Sequence, residues 1–148
     1  MLKTEIDSIP DRYVVNALVF NDKGQYLLLK RPNNHKFYPG YWGVIMEKVN
    51  ENELFLEALF RGVNEEIGVS VNERNIMFFG KDIFREWDNH MYQVKTYFIN
   101  IGNADIGLNR EHKEYVWVDI GDDISSFDVM PDALSMINSM CNSLPKMV

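Results

Sequence analysis

The segment from Glu53 to Val69 constrains the fold more than any other part of the chain, because it reads as one amphipathic helix with a defined end. Its apolar residues recur at the i, i+3, i+4, i+7 and i+11 positions, which places them in one stripe along a helix. They are Leu56, Leu59, Phe60, Val63 and Ile67. Gly68 follows, where a glycine commonly ends a helix. The segment therefore predicts a helix that packs one face on a core and stops at Gly68.

The adjacent carboxylates Glu65 and Glu66 lie near the end of this predicted helix. At about 100° per residue, they fall on the back and flank of the helix, away from the apolar stripe. Carboxylate oxygens are the ligands that Mg2+ prefers, and a magnesium-diphosphate site needs such oxygens side by side. Gly62 falls between the two, where a glycine costs about 1 kcal/mol relative to alanine and therefore needs a reason.

The stretch from Glu53, read as E-x7-R-G-V-N-E-E-I-G-V, resembles the signature box of the Nudix hydrolases, usually written G-x5-E-x7-R-E-U-x-E-E-x-G-U with U aliphatic. Two positions depart from this pattern, since Glu47 replaces the leading glycine and Gly62 replaces the glutamate after the arginine. Residues 109–118 also resemble the family's later E-H-x-E-x-x-W segment. The resemblance implies an α/β/α sandwich with a mixed β-sheet, formed by a single domain over residues 1–148.

The same resemblance implies a catalytic role for each of five residues. Glu65 and Glu66 are expected to hold Mg2+, with Mn2+ as a second candidate ion. Glu111, in the loop before a strand, is the expected base or additional metal ligand. Arg61 and Glu53 are expected to fix the loop against the helix, because an arginine–carboxylate pair is geometrically suited to that task.

The two departures from the box suggest one hypothesis about Glu47. The loop that carries Glu47 must pass close to position 62, so its carboxylate is a candidate metal ligand in place of the one lost at Gly62. Alternatively, residue 47 can offer its main-chain carbonyl, provided that a non-glycine residue adopts the required backbone conformation. A third interpretation is that both positions drifted after selection on hydrolysis relaxed.

Cationic and aromatic residues flank the expected substrate pocket. Arg31 and Lys36 are expected to contact an anionic substrate, and Tyr41 and Trp42 are expected to line the pocket beside them. His112 is interpreted as a structural or substrate-side residue, because Mg2+ prefers oxygen ligands. Other aromatic residues that can stack on a base are Phe37, Tyr38, Trp87 and Tyr92. For each of them alone, packing in the core or at its rim is the commoner role.

Composition and sequence patterns limit the kinds of binding partner and the cellular compartment that we expect for this chain. The net charge of -7 argues against duplex DNA or RNA as a partner, because backbone binding needs clustered lysine and arginine. No run of about 20 apolar residues or signal peptide is recognisable, so we expect a cytoplasmic protein without a membrane partner. The single Cys141 fits a reducing compartment. The oligomeric state stays open between a monomer and a homodimer.

The rest of the chain reads as strands and one further helix. Predicted strands cover residues 13–20, 26–31, 76–85, 92–101 and 116–118. A tight turn at residues 21–24 makes the first two a hairpin. The last helix is predicted to begin at Pro131, a residue type that favours the first helical turn.

Together these features predict Mg2+-dependent hydrolysis of a nucleoside diphosphate linked to another group, either of the pyrophosphatase type or on a nucleotide sugar. Nucleoside triphosphates, nucleotide sugars, ADP-ribose and non-nucleotide diphosphates all stay open as substrates. The alternative is a Nudix-fold module that binds a nucleotide-like ligand, or regulates in response to it, with weak or no hydrolysis. The broken box favours this alternative, whereas the retention of Arg61, Glu65 and Glu66 together favours the enzyme.

Overall fold

The computed structural model describes residues 9–109, 112 and 114–147. The strands in this part of the chain are β1 (Arg12–Phe20), β2 (Gln25–Lys30), β3 (Trp42–Gly43), β4 (Ile45–Lys48), β5 (Ile76–Phe79), β6 (Ile83–Trp87), β7 (His90–Asn100) and β8 (Glu114–Asp119). The helices are α1 (Phe55–Ile67) and α2 (Pro131–Met147), and a short 3-10 turn spans Glu73–Asn75.

These strands form one mixed sheet around β1. Strand β1 runs parallel to β7 along its whole length and antiparallel to β2 and β4 on its other side. Strand β8 extends the sheet beyond β2, and both β5 and β6 pair antiparallel with β7. Because β4 pairs with the central strand β1, the loop from β4 to α1 begins near the centre of the sheet. A site on α1 can therefore include residues of β4.

The two helices cover opposite faces of the sheet. Because side chains alternate along a strand, Val15, Ala17 and Val19 of β1 pack in the core beneath α1, whereas Leu18 and Phe20 pack in the core beneath α2. A central strand covered on both faces needs a nearly continuous apolar run, which β1 has. The predicted α/β/α sandwich with a mixed sheet is confirmed.

Helix α1 has the end that the sequence predicts. Gly68 adopts a left-handed conformation with φ of 71° and donates its backbone N–H to the carbonyl of Asn64. At the other end, the side chain of Glu57 accepts a hydrogen bond of 2.8 Å from the backbone N–H of Leu54. In the described part of the chain, neither α1 nor α2 has the length and apolar content needed to cross a membrane.

The prediction of one continuous strand over residues 76–85 is wrong, because β5 and β6 are separate. A Cβ at Gly80 would overlap the side chain of Thr96, so the chain passes close to β7 there and leaves the strand before β6 begins. Strands β6 and β7 are then joined by a two-residue turn at Asp88 and Asn89, which have φ of 51° and 62°.

Candidate functional site

Glu66, predicted on the flank of the helix away from the apolar stripe, is buried. Its side chain is 1% exposed. The buried residues of α1 are Ala58, Leu59, Gly62, Val63, Glu66 and Ile67. Because Gly62 has no side chain, α1 approaches β4 closely, and the buried face of the helix turns toward Gly62 and Glu66, leaving Phe60 only partly buried.

His112 holds Glu66 in one orientation. The Nε2 atom of His112 lies 2.7 Å from Oε1 of Glu66, and the histidine side chain is only 8% exposed. Burial, followed by the nearby charges of Arg31 and His35, lowers the pKa of His112 to about 4. The ring is therefore neutral at pH 7, and Nε2–H donates to the carboxylate. A buried carboxylate fixed by a neutral imidazole is a typical supporting arrangement for a metal ligand.

Arg61 lies at the centre of a network that joins the loop before α1 to the helix. It binds Glu53 with two parallel hydrogen bonds of 2.8 and 3.0 Å. It also donates to Glu47 at 2.9 Å, to Glu65 at 3.3 Å and to the carbonyl of Lys48 at 2.7 Å. Hydrogen bonds from Arg61 lower the pKa of Glu53, and the same pairing raises the pKa of Arg61. Arg61 and Glu53 thus lie where an orienting role requires them.

The side chain of Glu47 fills the space beside Gly62. A Cβ at position 62 would lie 3.0 Å from the Cβ of Glu47, 3.1 Å from its Cγ and 3.6 Å from its Oε2. A glutamate at position 62 would therefore need much of the space that Glu47 already occupies. This close approach is the physical reason for a glycine in the middle of α1.

Glu47 and Glu66 both line a cavity of about 330 Å³, here called the acidic cavity. Arg31, His35 and Lys48 also line it, so two carboxylates face cationic and imidazole groups across a small space. The guanidinium of Arg31 lies 3.0 Å from the ring of His35. Burial, followed by the charge of Arg31, lowers the pKa of His35. The acidic cavity therefore offers oxygen ligands to a cation and positive charge to a phosphate.

A second cavity of about 430 Å³, here called the aromatic cavity, shares Arg31, Phe37, Met46 and Lys48 with the acidic cavity. Its aromatic lining consists of Phe37, Tyr38, Trp87 and Tyr92. The shared residues show that the two cavities are adjacent, and we refer to them together as the cleft. One end of this cleft suits a phosphate chain, and the other suits a flat organic group.

The carboxylates fit Mg2+ in one particular mode. Among the residues that the structure describes, no three histidine, cysteine or acidic side chains are close enough to enclose a metal ion. Glu65 is half exposed and contacts Arg61 at 3.3 Å, whereas Glu47 and Glu66 face the acidic cavity. Magnesium commonly uses one or two carboxylates and completes its coordination with water and substrate phosphates. The oxygen donors at this site fit that mode.

The remaining expected residues have different positions. Glu111 lies outside the described residues. Arg31 lines both cavities. Lys36 lines neither cavity, and its Nζ lies 5.6 Å from the centre of the Phe37 ring.

Tyr41 and Trp42 belong to the packing beneath α2. The ring of Trp42 lies 5.3 Å from that of Phe127, and the ring of Tyr41 lies 5.2 Å from that of Tyr38. Neither Tyr41 nor Trp42 is among the residues that line the acidic or the aromatic cavity. The residues that line this cleft therefore do not support the expected contact of Tyr41 and Trp42 with substrate.

Sequence reasoning missed several residues of the cleft. Lys48 and Met46 flank Glu47 on β4 and line both cavities, and Arg85 and Asn16 line the aromatic cavity. The one available signal was Asn16, a polar residue inside the apolar run of β1.

Comparison with known proteins agrees with the resemblance. The family model for the NUDIX domain matches residues 10–132. The nucleoside triphosphatase NudI of Salmonella agona is 34% identical over 115 residues, and the match covers 72% of this chain and 81% of the relative. The protein of the same name from Escherichia coli O81 is 30% identical with the same coverage.

Solved structures share the fold. The MutT protein from Methanosarcina mazei Go1 superposes with a TM-score of 0.74 at 27% identity, covering 93% of this chain and 96% of that chain. The E. coli dihydroneopterin triphosphate pyrophosphohydrolase superposes with a TM-score of 0.68 at 16% identity, covering 88% and 95%, which shows the fold alone. By family model, relatives and fold, this chain belongs to the Nudix hydrolase family.

Proposed function

We propose that this chain hydrolyses a diphosphate linkage in a nucleotide, either a nucleoside triphosphate or a nucleoside diphosphate joined to another group. One observation carries the proposal, namely that Glu66 is buried and held by His112 at the wall of a cavity that Glu47, Arg31 and Lys48 also line. The named activity of the NudI relatives, nucleoside triphosphatase, supports the same reaction class.

The carboxylates of Glu66 and Glu47 would hold Mg2+ or Mn2+ at the acidic cavity, whereas Glu65, the other expected ligand, does not line this cavity. When bound, the cation polarises phosphoryl oxygens and makes water a better nucleophile. Arg31 and Lys48 bind the phosphate chain from the cationic side of the cleft. With the cation and the phosphate chain bound at the acidic cavity, the aromatic cavity is left for the organic part of the substrate.

Three further residues support this chemistry. His112 fixes the orientation of the Glu66 carboxylate through its hydrogen bond of 2.7 Å. Arg61 and Glu53 hold strand β4, on which Glu47 lies rather than on the expected loop, against α1. We assign Glu111 as the base that removes a proton from water or as an additional ligand of the cation, since residues 109–118 resemble the family segment that carries such an acid.

Release of nucleotide products, together with phosphate or pyrophosphate from the triphosphates, is measured for a panel of nucleoside triphosphates, nucleotide sugars and ADP-ribose, with Mg2+ or Mn2+, and tests the proposal. We expect Glu66→Gln to lower kcat/KM by at least about 100-fold, because loss of a ligand should cost at least as much as loss of a residue that supports one. Glu73→Gln, which changes an exposed glutamate in the 3-10 turn, serves as the control and should keep wild-type activity.

The second candidate function is nucleotide binding without hydrolysis, and the absence of a carboxylate at Gly62 is the observation that favours it. Calorimetric binding of a nucleotide, with no turnover of any substrate in the panel, would establish this second function. Turnover that Glu66→Gln abolishes would exclude it.

A further inference from the structure

Asn16 is a buried polar residue that the fold itself does not explain. It is 0% exposed in β1 and lies on the same face of the strand as Leu18 and Phe20. Neither Nδ2 nor Oδ1 of Asn16 has a hydrogen-bond partner among the residues that the structure describes. Because buried polar groups are nearly always hydrogen-bonded, an amide with no partner at either atom requires an explanation.

Asn16 is the polar group on an otherwise apolar part of the aromatic cavity. It pairs with Met46 of β4 in the sheet, and both residues line this cavity together with Val14 and Val94. A carboxamide carries a donor and an acceptor side by side. Asn16 therefore offers one hydrogen-bond donor group and one acceptor to a ligand in the aromatic cavity.

The walls of the cavity suit a flat, uncharged ring. The rings of Phe37 and Trp87 meet edge to face, 5.4 Å apart, and their side chains are 43% and 51% exposed. On another side, Arg85 and Asp132 form an ion pair with the shortest N–O distance at 2.6 Å, so their charges offset each other. Exposed aromatic faces stack on any of the bases. Stacking therefore adds binding affinity but does not distinguish one base from another.

Met46 is the neighbour of Asn16 across the β1–β4 pair. Asn16 is fully covered in this structure, and Met46 lies directly opposite it in the register of β1 and β4. Methionine is unbranched and flexible, so a rotation of its side chain can open the amide to the cavity. The Sδ atom of Met46 lies 3.7 Å from Nη2 of Arg31. A rotation of the Met46 side chain therefore also changes a contact of Arg31, the residue that we propose binds the phosphate chain.

We propose that Asn16 determines which base the site accepts, because amino bases (adenine, cytosine) and keto bases (guanine, uracil) present donor and acceptor in opposite order along the edge, and one orientation of its carboxamide pairs with only one of these orders. The base stacks against the aromatic wall, and Met46 moves aside to let its edge reach Asn16. This inference rests on the proposed function in that it assigns the aromatic cavity to the nucleoside part of the substrate. Phosphate contacts carry no information about the base, so discrimination has to come from groups that line the aromatic cavity, and Asn16 is the buried amide among them.

The test compares base preference in binding, without turnover. AMP, GMP, CMP and UMP are titrated calorimetrically into the wild type, Asn16→Leu and Thr96→Val, and the melting temperatures are recorded. Leucine has the same branching as asparagine, with two methyl groups in place of the polar atoms, although it is larger. Thr96→Val is the matched control, because Thr96 is buried beside Asn16 in the register but does not line the aromatic cavity. Asn16→Ala replaces Asn16→Leu if leucine prevents folding.

We expect the wild type to separate its best and worst base by at least about tenfold in Kd, and Asn16→Leu to reduce this range to about threefold or less. Asn16→Leu should also melt at a higher temperature, because it removes a buried amide without partners. Thr96→Val should keep the order of bases. Retention of that order in Asn16→Leu, equal binding of all four probes by the wild type, or binding of none would each overturn the proposal.

The two proposals fail separately. A wild type that discriminates among the monophosphates through Asn16, but hydrolyses nothing in the substrate panel, would refute the proposed hydrolysis and support the role of Asn16. Hydrolysis with an unchanged order of bases in Asn16→Leu would do the opposite.

Discussion

The side chain of Glu47 on β4 lies against the backbone of Gly62 on α1, with only 3.0 Å between the Cβ of Glu47 and the place where a Cβ at position 62 would stand. The two residues that depart from the Nudix box, Glu47 and Gly62, are therefore neighbours in space. Glu47 adds a carboxylate to the pattern, and Gly62 lacks the one that the pattern has. A site that lost a glutamate at position 62 has one at position 47, next to Glu66 in the acidic cavity. Gly62 leaves the space that the side chain of Glu47 occupies.

The first prediction concerns the packing of positions 47 and 62. Gly62→Glu should lower the free energy of unfolding by about 1 kcal/mol, because crowding against Glu47 outweighs the better helix propensity of glutamate. In the Glu47→Gly background the same Gly62→Glu change should cost little or stabilise the protein, since the clashing side chain is gone. Urea unfolding measures both values. A single variant more stable than the wild type would show that the neighbouring side chain yields without cost.

The second prediction assigns Glu47 to the metal. Glu47→Gln should weaken the binding of Mn2+, measured by electron paramagnetic resonance in the absence of substrate, by about 10-fold or more. Glu47 also contacts Arg61, so the matched control is Glu53→Gln, which loosens Arg61 but lies outside the acidic cavity. Equal weakening in both variants would mean that Glu47 acts only through Arg61.

Local sequence predicted the elements of the site better than their orientation. The end of α1 at Gly68 and the hairpin of β1 and β2 follow from glycine chemistry and strand periodicity, which are properties of neighbouring residues. The buried position of Glu66 could not be predicted this way. It depends on how closely α1 approaches β4 at Gly62, and that distance is a property of the packed fold.

Substrate residues were the hardest to predict, for a similar reason. Tyr41 and Trp42 are close in sequence to the site, but their rings pack against Tyr38 and Phe127. Asn16 is far from the box in sequence, yet β1 pairs with β4 and places it beside Met46 in the cleft. Pairing between distant strands determines which side chains line a cavity, and a motif within one helix carries no information about it.

The third prediction concerns the buried pair of His112 and Glu66. His112→Leu should lower both Mn2+ affinity and kcat/KM by about 10- to 100-fold, because the Glu66 carboxylate loses the donor that orients it. His112→Gln, which keeps an N–H donor, should recover part of that loss. Equal effects of leucine and glutamine would indicate that His112 contributes through packing rather than through its hydrogen bond.

The fourth prediction is a pH dependence that arises from Glu53. The carboxylate accepts two hydrogen bonds from Arg61 and one from the backbone N–H of Asn50, which lower its pKa below the ordinary value of 4.5. The unfolded chain therefore binds a proton more readily than the folded one. The stability that Glu53 contributes is fully present above pH 4.5 and is lost as the pH falls through the lower, folded pKa.

Urea unfolding between about pH 6 and about pH 3 measures this contribution. The free energy of unfolding should fall less steeply with acid in Glu53→Gln than in the wild type, because glutamine does not titrate. Glu73→Gln, at an exposed position of the 3-10 turn, should keep the wild-type slope. If Glu53→Gln and the wild type lose stability equally, the carboxylate is not held in its charged form by Arg61, and the orienting network would need another source of stability.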